Sequence, residues 1–154
     1  MEITMLIIML MFLIGTTLSD NFVREYQGQI EDFNDLPVVA TDIIYEGAAV
    51  GDNGSGYARP LVAADPFMGM AQRKADNSAG AAGAINVKVL EKGYVVLTVV
   101  GVSGVGDQRE TVYATDDNTF TLTASAASSI GKVARHISGT SCLVYFESSS
   151  RRSI

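Results

Sequence analysis

From residue 43 to the C-terminus, short apolar runs alternate with clusters of Gly, Asn, Asp and Ser. In residues 43–60, IIYEGAAVGDNGSGYARP, Ile43, Ile44, Tyr45 and Val50 favour a pleated backbone. Asp52, Asn53, Gly54, Ser55 and Gly56 then supply the positive-φ and self-capping groups of a hairpin loop. The same reasoning predicts strands near 43–50, 57–62, 67–74, 84–91, 93–100, 111–114, 119–123, 130–137 and 142–147, with turns between them, one at Lys92-Gly93 among them. Ile85, Val87 and Val89 alternate with Asn86 and Lys88, the period of a strand with one wet face. Residues 95–100 are apolar on both faces, which predicts a central strand or a subunit contact. Residues 123–129, TASAASS, suit one short helical turn. The pattern is that of an all-β domain, a β-barrel or β-sandwich with at most one or two short helices.

The N-terminal part reads differently. Residues 3–14, ITMLIIMLMFLI, are too short to span a bilayer, which takes ~20 residues. Their length matches a signal-peptide core, with Thr17 and Ser19 before a cut at Asp20, yet Glu2 stands where such a peptide carries Lys or Arg. An extension from an upstream start, or a segment buried against a partner, are the other readings. In residues 20–42, Phe22, Tyr26, Ile30 and Phe33 recur about every fourth position, as on one helical face, but Gly28 and Pro37 oppose a helix. An extended arm is expected instead, with Pro37 where the chain joins the domain. The expected organisation is an apolar extension 1–19, an arm 20–42, a β-rich domain 43–148 and a tail 149–154.

Composition narrows the function classes. Charged residues are 18% of the chain, below the usual quarter, and the formal net charge is −6. An acidic chain whose basic clusters are Arg73-Lys74 and Arg151-Arg152 lacks the counterion-displacing surface of a nucleic-acid binder. One cysteine, Cys142, allows no internal disulfide and reads as a small buried hydrophobe.

Catalytic and ligand motifs do not assemble. Residues 101–106, GVSGVG, lack the GxGxxG spacing and the Lys-Ser/Thr of a phosphate loop, and read as a hairpin loop. Asp116-Asp117-Asn118 lacks the glycine and distal glutamate of a calcium loop and reads as a turn; so does Asp76-Asn77-Ser78. His136 is the single histidine, so a metal site would depend on Cys142 as co-ligand. A Cys142–His136 nucleophilic pair across a hairpin defines a third reading, a small hydrolase. The neighbouring carboxylates Glu31-Asp32 and Asp116-Asp117 are expected in solvent. No catalytic residue, cofactor or metal is expected.

In order, the segments YQGQIEDFNDLPVVATD, IYEGAAVGDNGSGYARPLVAADPFMGMA, KADNSAGAAGAINVKVLEKGYVVLTV, VYATDDNTFTLTASAASSIGKVARHISG and CLVYFES resemble the capsid cement (head decoration) proteins of tailed bacteriophages, over roughly residues 25–147. Residues 1–19 depart from that family. The resemblance implies a small β-rich domain, a homotrimer that sits outside the virion shell at three-fold and quasi-three-fold positions and bridges major capsid protein subunits after assembly in the host cytoplasm. It implies no enzymatic activity, no direct nucleic-acid contact and no membrane. On this reading the arm reaches the capsid protein, with Phe22, Tyr26, Ile30, Phe33 and Pro37 as contact residues, and adds a strand to a partner's sheet edge. The competing reading is a secreted or surface-attached β-domain for adhesion, exported by residues 1–19.

Overall fold

A computed structural model describes residues 17–28 and 31–151. The described chain is all-β. Its strands in order are β1 (Tyr26–Gln27), β2 (Phe33–Pro37), β3 (Ile43–Ile44), β4 (Ala49–Asp52), β5 (Ala58–Pro60), β6 (Phe67–Ala71), β7 (Ala75–Asp76), β8 (Asn86–Leu90), β9 (Lys92–Val100), β10 (Thr111–Ala114), β11 (Phe120–Thr121), β12 (Ser128–Ser138) and β13 (Ser141–Glu147). A three-residue 3-10 turn, Val105–Asp107, lies in the loop after β9. Residues 125–126 form a plain turn and Ser128 and Ser129 already belong to β12, so the helical turn expected over 123–129 is absent.

Five strands close into a barrel in the order β9-β11-β10-β12-β13, with β13 returning to β9. All neighbours are antiparallel except β11 and β9. β9 pairs with β13 along one margin from Lys92 to Thr98. Its other margin is shared: β1 takes Tyr94 and Val95, and β11 takes Val99 and Val100. Closure leaves this sheet with few raw edges. The inward residues Val95, Leu97, Val99, Val112, Ile130, Val133, Val144 and Phe146 are all buried.

A second sheet runs β2-β8-β6-β4-β5. β2 leads straight into Val38, which bridges in parallel to Ala58 on β5, so the sheet curls until its two margins meet. The curl is tight, and its interior suits small side chains: Ala48, Ala58, Ala71 and Ala75 pack with Val38, Ile44, Val50, Val87 and Val89. Phe67, Met70 and Leu90 belong to the barrel's core instead and join the two sheets. Phe146 sits at that junction, edge-on to Phe67 with ring centroids 6.1 Å apart and 6.4 Å from Tyr26.

The turn expected at Lys92-Gly93 is not a chain reversal. Both residues lie in β9, and only Glu91 separates it from β8. The chain crosses from one sheet to the other there, because β9 is already paired on both margins and offers β8 no place. The β4–β5 loop forms as its residues dictate. Asp52 Oδ1 accepts from the Gly54 and Gly56 N–H groups, and Asn53 Oδ1 from those of Ser55 and Tyr57. Gly54 and Gly56 take φ near +90°.

Candidate docking surfaces

Residues 20–28 and 31–42 do not stand away from the domain. β1 extends the barrel sheet and β2 forms a margin of the second sheet, so sheet structure begins well before residue 43. Between them and the N-terminus, residues 17–25 form a strap. The Leu18 N–H donates to Asp117 Oδ1 (3.1 Å), the Phe22 N–H to the Glu46 carbonyl (2.8 Å), and the Val96 N–H to the Glu25 carbonyl (2.9 Å). Arg24 Nε donates to the Gly47 carbonyl (2.8 Å) and Nη2 to Asn118 Oδ1 (2.7 Å). Its guanidinium lies over the rings of Phe22 and Phe120. Burial pulls the Arg24 pKa below its ordinary value. A Cβ on Gly47, whose φ is +84°, would strike the Phe22 carbonyl, so only glycine lets the strap lie this close.

The five expected contact residues therefore divide. Phe22 is 49% exposed on the strap, and its neighbour Val23 is 79% exposed. Phe33 is also exposed, with the Lys88 ammonium 4.6 Å above its ring. Tyr26 packs against the barrel core, and its hydroxyl accepts from Gln72 Nε2 at 3.0 Å. Burial raises its pKa. Pro37 closes β2, half-buried. Ile30 lies outside the described residues, as do residues 1–16 and every reading of the apolar leader that rests on them.

The outer margin of β2 is short of donors. The Glu91 N–H to Asp32 and the Val38 N–H to Ile85 place residues 32, 34, 36 and 38 in hydrogen-bonded register with β8. Phe33, Asp35 and Pro37 direct their backbone groups outward. The Phe33 N–H is held by the Glu31 carbonyl, that of Asp35 by Asn34 Oδ1, and Pro37 has none. The margin presents carbonyls alone: it can accept from the N–H groups of an extended chain but donates none, so a full two-way ladder does not form there.

Other exposed apolar groups come from the barrel. Along β9 the inward residues alternate with Tyr94, Val96, Thr98 and Val100, which face outward; Tyr94 and Val100 are exposed. Tyr94 stacks beside Tyr145 of β13, centroids 5.3 Å apart. Of the two expectations for the two-faced run at 95–100, a central strand is what the fold shows, since β9 is paired on both margins. Ile137 at the end of β12 and Val105 in the 3-10 turn are exposed as well. Val23 falls outside the every-fourth-residue spacing, yet it stands beside Phe22 in a polar stretch, which is the sequence signal for it.

The chemical candidates meet different fates. The hairpin sets His136 opposite Cys142 in register. Cys142 is fully buried, and burial, with the Asp107 charge behind it, pushes its thiol up to about 11, away from a thiolate. His136 Nε2 lies 3.0 Å from the Gly139 carbonyl. In the glycine-rich loop the Asp107 carboxylate already occupies the N–H groups of Ser103 (2.7 Å) and Gly104 (3.1 Å), and these bonds hold its pKa below the usual carboxylate range. Among the described residues no group of three or more His, Cys, Asp or Glu is placed to hold a metal ion, and no helix is long and apolar enough to cross a membrane.

The carboxylates at 116–117 are not both in solvent. Asp116 caps its turn, accepting from the Asn118 N–H and the Thr119 hydroxyl. Asp117 is 1% exposed, and burial raises its pKa to about 6. The strap lying over it is what the sequence did not disclose. An open cleft of about 620 Å³, lined by Leu18, Ile43, Arg59, Leu61, Val62 and Asp116 among others, lies beside it.

No protein-family model matches the chain, and no curated protein matches it. Among solved structures, the chain is similar to a chain described as the capsid of Myoviridae phage XM1, at 17% identity and a TM-score of 0.48, over 86% of this chain and 92% of that one. A likeness of that degree carries no residue roles across.

Proposed function

We propose that this chain is a structural virion protein that decorates and stabilises a phage capsid from outside. On this reading it bridges major capsid protein subunits at three-fold and quasi-three-fold positions as a homotrimer and catalyses nothing. The ordered sequence resemblance over residues 25–147 supports it, and so does the all-β fold. The observation that carries it is the distribution of exposed apolar side chains. They come from different elements: Phe22 and Val23 on the strap, Phe33 on β2, Val62 in the loop after β5, Tyr94 and Val100 on the outer side of β9, Val105 in the 3-10 turn and Ile137 at the end of β12. A ligand-binding protein gathers such groups in one concavity; a clamp that touches several neighbours distributes them. Modest contacts with each neighbour then add through high effective concentration, because later contacts form after the first has tethered the molecule.

The strap supplies the capsid contact through Phe22 and Val23, held in place by the Arg24 side-chain bonds and the Phe22 backbone bond, and the outer side of β9 supplies the contact between copies. Co-sedimentation with expanded capsids tests the first. The wild type saturates at a fixed stoichiometry, and Phe22→Ser combined with Val23→Ser lowers occupancy roughly tenfold or more, the loss of a buried aromatic anchor. Equal occupancy would remove the strap from the interface. Sedimentation velocity tests the second: Tyr94→Glu shifts the protein from trimer towards monomer, and a wild type that is monomeric both in solution and on the shell would end that part of the reading.

A further inference from the structure

Several of the chain's eleven Lys and Arg side chains are engaged within the fold. Arg59 grips both oxygens of Asp65, Arg151 bridges Glu91 and Asp32, Lys92 faces Asp32, and the half-buried Arg24 is bonded to Gly47 and Asn118. One group of cations differs. Arg73, Lys74 and Lys88 surround a concavity of about 430 Å³ with Asp35 and Asn86 on the outer side of the second sheet. We propose that this basic concavity receives an extended, carboxylate-rich segment of a shell subunit. The identity of the partner rests on the decoration reading; the chemistry of the site does not.

Four features point to that occupant. Among the described residues Arg73 and Lys88 have no carboxylate within ion-pair distance, and Lys74 has only the exposed Asp76 at 4.0 Å. Asp35 leaves the concavity with an excess of positive charge in a chain of net charge −6, so an acidic segment is complementary here. Lys88 is preorganised, because its ammonium rests over the Phe33 ring and its strand position faces Asp35 in register. The adjoining margin of β2 offers outward carbonyls and no free N–H, so an extended chain lying along it donates its own N–H groups while its carboxylates reach the cations. Three cations are too few to track a nucleic-acid backbone.

The test uses the full chain and a fluorescein-labelled octaglutamate peptide, followed by fluorescence anisotropy. Saturable binding is expected at 50 mM NaCl, and it weakens as salt rises and screens the charges. R73E/K88E lowers affinity at least about tenfold, whereas K132E on the barrel does not. R73Q/K88Q serves in its place if charge reversal lowers the unfolding temperature. The proposal is overturned if octaglutamate fails to bind, if the double variant binds like the wild type, or if a thymidine octanucleotide binds equally well. Capsid co-sedimentation separates this site from the reading beneath it. If wild type and R73E/K88E sediment with shells at the same salt dependence, the concavity is not the contact and the decoration reading stands. If octaglutamate binds as expected but the wild type ignores shells, the acidic-segment site stands and its assignment to a capsid falls.

Discussion

Phe146 joins the barrel to the second sheet. It is fully buried, touches Tyr26 from the strap side and Phe67 from the second sheet, and so closes the barrel while docking the other sheet onto it. Phe146→Ala removes a buried aromatic from a junction that cannot collapse inward, at a cost of roughly 3–5 kcal/mol. Thermal unfolding should show a fall in Tm of roughly 6–20 °C. Asp117 acts in the opposite sense. Its folded pKa is about 6, above the ordinary 3.8, so between about pH 4 and pH 6 the folded state binds more protons than the unfolded. The contribution of this group therefore falls as pH rises through that window. Asp117→Asn keeps an oxygen for the Leu18 N–H and loses the titration. Relative to the variant, the wild type should gain Tm between pH 7 and pH 4.5; an unchanged gap means that the carboxyl is not desolvated as described.

At the scale of elements, the decisive feature is that the N-terminal region is part of the sheets. Deleting residues 1–37 strips β1 from β9 and β2 from β8, exposing two ladder margins. The truncated chain should be less stable and prone to aggregation, measured by light scattering during heating. This makes it a poor probe of capsid contact, for which point changes at Phe22 and Val23 are suited. Gly47→Ala is a subtler probe of the strap. Its positive φ and the Phe22 carbonyl both oppose a Cβ, so a loss of more than about 1 kcal/mol is expected. Amide exchange at residues 21–24 should accelerate while that of the barrel strands is unchanged. At the other terminus, the Ser148 N–H donates to the Glu91 carbonyl, and Arg151 Nε donates to the nearly buried Glu91 carboxylate at 2.6 Å. The C-terminal end of the described chain is thus tied to Glu91, between β8 and β9.

For the whole molecule, a closed barrel and a curled sheet whose margins meet make a body with few places for accidental strand pairing. Its low charge and the exposed apolar residues on several of its elements suit a protein that spends its life against neighbours. On the decoration reading, heads lacking it should lose DNA at a lower temperature and under milder osmotic shock than decorated heads, and adding the purified protein should restore both. The strength of that effect depends on several contacts breaking together, so single-surface variants should lower it in part while a strap and β9 double variant removes it.

Local chemistry determined much of this in the sequence alone. Branched and aromatic alternation placed most strands within a few residues, and Asp52 to Gly56 specified their turn through side-chain-to-backbone bonds that need no distant partner. The two-faced apolar run at 95–100 announced a central strand. What lay beyond the sequence was pairing between remote segments. Tyr26 and Gln27 became a strand because β9 had a free half-margin, Asp117 became buried because residues 17–18 cross it, and Lys92-Gly93 continued as a strand because the sheets divide at Glu91. Arg73, Lys74 and Lys88 formed one patch because β8 and the loop after β6 share a face. Each of these depends on which margins and faces remain open once the others have closed, a property of the assembled sheets that no stretch of neighbouring residues contains.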